Sequence, residues 1–495
     1  MNKPLKLITR AVFGMFIVLF FSVTMIQFVQ ADDLRANALN SRALMNSYKV
    51  ERGAILVDGD PVAFSTPTDD DFQYVRQYAN GPMYAPLTGY FSRTQGMTGL
   101  EAAMNQDLSG SGNAQFFTRI MNTLNGVEPQ GSSIETTIDP AAQEAAYTAM
   151  TENGFEGAVV ALEPKTGKIL ALTSTPGFDP NALSSNNDAD IITNYRQLND
   201  DPSQPLQNRA IAGDLYPPGS VYKLISAAAA IESGAATPST EFDNPAQWTL
   251  PQSSSVLQNA SRSTCGSGDK ATLDQALVLS CNIPIAEMTT KMDDNAVPDM
   301  AAKFGFGQDL AIPTPVTPSQ SPVPESKAQV ALASIGQQDV RATPLQIAMV
   351  SAGIANGGTV MKPYLVDKVI TPDLTVEKEF SPEQFSQPVS EKTADAVASM
   401  MEHGVNKPEG LAQNAAIDGV RVAGKTGTAE NGTDADGNDL PFTLWFTGFA
   451  PVEDPEVAVA VVIADGGGAN FGNEGGSFEL PTAVGKRVME AVLSE

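Results

Sequence analysis

Residues 157–176, GAVVALEPKTGKILALTSTP, and residues 441–468, PFTLWFTGFAPVEDPEVAVAVVIADGGG, decide the fold between them. In the first, two apolar runs flank Pro164, Thr166 and Gly167, a pattern that predicts a β-hairpin. The second has the same form and leads into a final helix from about Pro481. Strand pairs at both ends with helices between them predict one mixed α/β domain whose sheet joins its termini. Just upstream, Asp139 and Pro140 in TTIDPAAQEAAYTAM give the start signal of a helix. Pro313–Pro324 and Ser381–Pro388 read as connections.

At 495 residues the chain exceeds the size at which one core stops growing, so two or more domains are expected. Hydrophobic residues at 42% together with 41 glycines describe a globular protein. Thirty basic against 57 acidic residues give a net charge of −27, which repels phosphate backbones and argues against nucleic-acid binding. With one histidine and two cysteines the chain is a poor zinc binder, and nothing in it calls for a metal or other cofactor. His403, just before Gly404, reads as a helix-end residue.

Lys3, Lys6 and Arg10 precede an uncharged apolar run from Ala11 to Val29, roughly 28 Å of helix at ~1.5 Å per residue. Asp32 and Asp33 follow. Basic residues before the run place the N-terminus in the cytoplasm. The run is longer than the apolar core of a cleaved signal peptide, although Val29, Gln30 and Ala31 resemble a cleavage site. The expected organisation is a cytoplasmic tail at 1–10, a transmembrane anchor at 11–31, a non-catalytic pedestal at 32–150 and a larger domain at 151–495 outside the membrane. Short strand-like runs such as GAILVDGDPVAF mark the pedestal. An oxidising exterior permits a disulfide between Cys265 and Cys281; two buried free thiols fit the sequence equally.

Chemistry concentrates in three short motifs. In YPPGSVYKLISAAAAIESG, Tyr216–Gly234, Ser220 and Lys223 open an apolar helix, so a hydroxyl and an amine project from one face a turn apart. That pair makes a nucleophile without histidine if the lysine is held neutral. Ser280, Cys281 and Asn282 form a Ser-x-Asn set, and VRVAGKTGTAE carries Lys425, Thr426, Gly427 and Thr428 on the continuation of a strand. Each motif has decoys. Ser267 and Lys270 lie in a glycine-rich loop, Ser111 with Asn113 and the run Ser184–Asn187 repeat the Ser-x-Asn pattern, and Lys165, Thr166 and Gly167 sit at a hairpin tip.

In this order the three motifs resemble those of penicillin-binding proteins and class A β-lactamases. The likeness extends over nearly the whole chain, through NSRALMNSYKVERGAIL, GMTGLEAAMNQDLSG, TTIDPAAQEAA, ASIGQQDVRATPLQIAMVSAGIANGG and WFTGFAP. The chain resembles the class B, monofunctional penicillin-binding proteins, actinobacterial members above all. The resemblance implies an α/β transpeptidase domain with an antiparallel sheet, helices on both faces and a helical subdomain.

It also implies a peptidoglycan D,D-transpeptidase. Ser220 would attack the D-Ala-D-Ala bond of a stem peptide, release the last D-Ala, and pass the acyl group to an amine of a neighbouring stem. Penicillins and other β-lactams would trap Ser220. Lys223 would be the general base, kept neutral with help from Lys425. Ser280 would relay a proton to the leaving amine, and Asn282 would orient Lys223 and the donor amide. The N–H groups of Ser220 and Thr428 would form the oxyanion hole. Lys425, Thr426 and Thr428 would hold the terminal carboxylate, and Gly427 would let the substrate lie close. The partners implied are the membrane, a lipid II polymerase, and division or elongation machinery. Other readings of the same motifs are a D,D-carboxypeptidase or β-lactamase, for which Glu325 falls roughly where a water-activating glutamate would lie although nothing around it resembles that motif, or a silent β-lactam-binding scaffold. Trp445 and Phe446 read as core.

Overall fold

The computed structural model of the chain describes residues 3–30, 34, 48–70, 72–112, 130–213, 215–433, 437, 440–467 and 476–494. Ala31, Asp32 and Asp33 of the expected anchor boundary, and Asn40 to Ser47 of the segment after it, lie outside them. The N-terminal run is an α-helix over Lys3–Thr24 that widens into π-helical turns over Met25–Val29. Leu5–Gln27, with a mean hydropathy of 2.1, is long and apolar enough to cross a membrane, and none of it packs against the rest of the chain.

The larger sheet has Val457–Ile463 at its centre. All seven residues of this VAVAVVI strand are buried, as a continuous apolar run covered on both faces requires. Thr443–Ala450 pairs with it on one side and Gly157–Leu162 on the other, while Ala423–Ala429 and Ile169–Thr175 form the two edges. All four pairings are antiparallel, so the two predicted hairpins meet and join the ends of the domain. Helices Pro140–Glu152 and Leu480–Leu493 cover one face, where Ala142, Ala146 and Met150 pack with Val484 and Val488. Pro344–Ala355 lies against the other. Asp139 caps the first of these helices, accepting from Ala142 N at 2.6 Å.

The smaller sheet has the order Val376–Glu379, Val366–Ile370, Ser133–Thr136, Ile55–Val57, Asp60–Pro67, Tyr74–Tyr78. Its first two strands come from deep within the expected catalytic region. The packing therefore does not divide at residue 150: Pro140–Glu152 belongs to the larger sheet's cover, and 366–379 completes the pedestal. The reason is that Ser133–Thr136 pairs with Ile55–Val57 on one side only, and the hairpin that pairs with its other side is remote in sequence.

Beside this sheet, a buried ion cluster ties three segments together. Glu101 has no exposed side-chain surface and takes Arg52 Nε at 2.5 Å on one oxygen and Arg76 Nε at 2.6 Å on the other. Burial pushes its carboxyl pKa up, but the Arg76 and Arg52 charges outweigh it and hold the group below the usual carboxylate range. Removing the carboxylate leaves two guanidiniums buried without a counter-charge. Glu101→Leu is expected to destabilise the chain by about 3–5 kcal/mol, measured by denaturant unfolding of the detergent-solubilised protein; a loss below about 1 kcal/mol would mean that water or other groups replace the carboxylate.

Candidate active site

Ser220 lies in a 3₁₀ turn, Gly219–Tyr222, that runs directly into helix Lys223–Glu232. Two prolines precede the turn, and several segments pin it. Gly219 N donates to Gly336 O at 3.0 Å, Trp445 Nε1 donates to Pro217 O at 2.9 Å, and Tyr216 pairs through its backbone with Ala342. Close backbone approach is possible only because glycines meet here. A Cβ on Gly336 would stand 2.1 Å from Gly219 O, and one on Gly219 would stand 2.5 Å from Thr428 O. Both glycines also have positive φ, 75° and 53°.

The Lys-Thr-Gly-Thr segment lies on Ala423–Ala429, the edge strand facing this turn. Thr428 O points at Gly219, so the N–H of the same residue opens to the same side, away from the paired strand. Strand alternation puts Lys425 and Gly427 on one face and Thr426 and Thr428 on the other. Thr426 is buried and Thr428 exposed, its hydroxyl donating to Ser477 Oγ at 2.9 Å. The room that Gly427 leaves is taken by the serine turn: a Cβ there would stand 3.0 Å from Pro218 O and 3.1 Å from Val221 Cγ1. The glycine thus clears space for protein where space for substrate had been expected.

Ser280 stands between the two lysines. Lys425 Nζ donates to Ser280 Oγ at 2.7 Å and to Thr426 O at 2.9 Å, while Lys223 Nζ donates to Ser280 O and to Asn282 Oδ1, both at 2.7 Å. Ser280 has φ 53°, a left-handed conformation uncommon for a non-glycine residue. It lets one residue offer its hydroxyl to one lysine and its carbonyl to the other. Cys281 is joined to Cys265 by a disulfide, so the loop before the motif is tied to it covalently. Asn282 is held in turn: its Nδ2 donates to Gln258 O at 2.8 Å, and its N–H donates to Asn259 Oδ1 at 2.8 Å.

Both lysines are almost wholly withdrawn from water, Lys223 at 0% and Lys425 at 3% exposure. Burial drives the Lys223 amine well below the ordinary lysine range, and the Lys425 charge lowers it further. Burial alone pushes Lys425 down to about 7. A buried amine whose charged form is disfavoured thus stands one turn from a serine, an arrangement suited to a nucleophile and base without histidine. His403 stands apart from it, in the last turn of helix Glu391–Asn406, with Nδ1 2.7 Å from Asp274 Oδ1. Glu325 is exposed. Of the decoys, Lys165 pairs with Asp454 at the hairpin tip and Lys270 with Asp243. Trp445 and Phe446 are fully buried core, and the Trp445 indole also fixes the serine turn. Sequence reading missed Gly336, Asn259 and Ser477. Gly336 lies in one of the quoted segments, whereas nothing local marks the other two.

Comparison with known proteins agrees with this geometry. Residues 157–490 match the penicillin binding protein transpeptidase domain, and residues 52–134 match the penicillin binding protein A dimerisation domain. The chain is 39% identical to the peptidoglycan D,D-transpeptidase PbpA of Mycolicibacterium smegmatis, with 100% of both chains covered. It is 38% identical to the protein of the same name from Mycobacterium tuberculosis, covering 100% of this chain and 99% of that one. Among solved structures, the ceftriaxone acyl-enzyme complex of penicillin-binding protein A from M. tuberculosis superposes with a TM-score of 0.85 at 37% identity, covering 91% of this chain and 100% of that one. The penicillin G acyl-enzyme complex of the same protein gives 0.83 at 37% identity, covering 90% and 100%.

The depressed lysines make a stability prediction. A lysine whose native pKa lies below its unfolded value binds fewer protons when folded, so its penalty is full below the native pKa and is relieved as pH rises towards the unfolded one. For Lys425 that window runs from about 7 up to the usual 10.5. Relative to Lys425→Met, the parent is expected to gain stability as pH rises from 7 to about 9.5. Denaturant unfolding of both proteins across that range checks it, and a pH-independent difference would mean that Lys425 titrates normally.

Proposed function

The chain belongs to the penicillin-binding protein transpeptidase family and is a class B peptidoglycan D,D-transpeptidase, and we propose that Ser220 is its nucleophile. The observation that carries the assignment is Lys223, a buried amine lowered by its surroundings, one turn after a serine at a helix head. Ser220 Oγ attacks the carbonyl of the penultimate D-Ala, and Lys223 takes the hydroxyl proton. Among the described residues the hydrogen bonds of Lys223 Nζ go to Ser280 and Asn282, which leaves its nitrogen lone pair free for that proton when the amine is neutral. The Ser220 and Thr428 N–H groups stabilise the oxyanion.

The intermediate collapses as the proton passes through Ser280 Oγ to the leaving D-Ala nitrogen, and the Lys425 contact to that hydroxyl supports the relay. Lys425, Thr426 and Thr428 hold the substrate's terminal carboxylate; the Thr428 hydroxyl turns from Ser477 to do so. An amine of a second stem peptide then attacks the acyl-enzyme, with the same groups working in reverse. β-Lactams acylate Ser220 by the same first step. The N-terminal helix anchors the catalytic part outside the membrane with the tail at 1–10 in the cytoplasm, and the pedestal sets its height. A lipid II polymerase and division or elongation machinery would work beside it.

Incubation of the detergent-solubilised chain with a penicillin is expected to add the mass of one antibiotic molecule, and Ser220→Ala to abolish the adduct. A Ser220→Ala protein that still carries it would move the nucleophile elsewhere. With a donor stem peptide and an amine acceptor, the parent is expected to form the cross-linked product in excess of the hydrolysed one; hydrolysis alone would make it a carboxypeptidase.

A further inference from the structure

Helix Ile283–Thr290 begins immediately after Asn282, the residue at its N-cap position. An asparagine there ordinarily turns its side-chain oxygen onto the helix's own first amides. Asn282 does not: its side chain makes no capping bond, because Oδ1 accepts from Lys223 Nζ and Nδ2 donates to Gln258 O. The helix is capped from elsewhere. Asn259 Oδ1 accepts from Asn282 N at 2.8 Å and from Ile283 N at 3.0 Å, while Asn259 Nδ2 donates to Ser263 O at 2.9 Å. Asn259 is 3% exposed, so water does not substitute for these bonds. Pro284, next in the helix, has no N–H to satisfy.

We propose that Asn259 is a positioning residue for acyl transfer, an anchor lent from a separate loop that fixes the backbone of Asn282 and so keeps its carboxamide on the Lys223 amine. The inference rests on the reading of Ser220 and Lys223 as nucleophile and base. Without Asn259, two buried amides at the helix start lose their acceptor. The turn that carries Asn282 then loosens, and its carboxamide no longer holds Lys223 in one place. Asn259 acts through Asn282, and its loss is felt as misorientation of the base.

The test is a double-mutant cycle on the second-order rate of penicillin acylation, using the full chain in detergent, with circular dichroism to confirm folding. Asn259→Ala and Asn282→Ala are each expected to slow acylation by about ten- to hundredfold, the range that small misplacements produce. The double variant is expected to be no slower than Asn282→Ala alone, because both changes break one link. Asn259→Ser keeps an uncharged oxygen acceptor at the helix start and is expected to recover part of the rate, which also covers the case in which Asn259→Ala does not fold. Independent, multiplying effects in the double variant would overturn the proposal, as would parental rates in Asn259→Ala or an Asn259→Ser protein no faster than Asn259→Ala. Failure of the Ser220 assignment looks different, since Ser220→Ala would then retain the adduct whatever stands at 259.

Discussion

Two lysine amines share one buried pocket, and no carboxylate balances either of them among the described residues. Their partners are carbonyl, carboxamide and hydroxyl oxygens: Ser280 O, Asn282 Oδ1, Ser280 Oγ and Thr426 O. A buried ammonium without a counter-ion is expensive, and the inexpensive remedy is to give up the proton. On the reading proposed for Ser220 and Lys223, the site obtains its base from desolvation, where other serine acyl-transfer sites obtain one from histidine. An aspartate or glutamate close by would repair the electrostatics and spoil the chemistry. The chain is acidic, at −27 overall, yet among the described residues no carboxylate is bonded to either amine.

Maintaining that pocket takes backbone from every part of the larger domain. The serine turn is pinned by Gly336, Trp445 and Ala342, the edge strand closes on it through Gly427, and the Ser-x-Asn turn is tied by a disulfide and by Asn259. The result is a water-poor interior made of main-chain contacts between segments that have no sequence similarity to one another. Small residues at the crossing points matter as much as the groups that react.

Much of this was legible in the sequence. The two hairpins announced themselves by composition, and the capping aspartate of Pro140–Glu152 by its position before proline. The three motifs stood out from their decoys because helix-opening and strand-continuing contexts differ from loops. The rest depended on distance in the chain. No local pattern says that Val366–Ile370 pairs with Ser133–Thr136, since a short half-buried strand is compatible with many neighbours. The left-handed Ser280 was hidden because only glycine or asparagine would have advertised such a conformation. Asn259 was hidden because a cap from another loop leaves no capping pattern beside the helix it serves. Chain order and spatial order also diverge on both sides of residue 150, where Pro140–Glu152 covers the larger sheet and Val366–Ile370 joins the smaller one.

The pairing of Ile134 with Val369 in the smaller sheet bears on how the chain matures. On the reading that the part after the anchor is exported, it emerges from the anchor end onward, and neither sheet can close on what has already emerged. The smaller one waits for residues 366–379, and the larger one waits for Val457–Ile463 to meet Gly157–Leu162. Until those segments arrive, strand edges in both sheets lack their partners, and such edges invite aggregation. Its surplus of negative charge is well suited to keeping such a chain soluble until the last strand arrives.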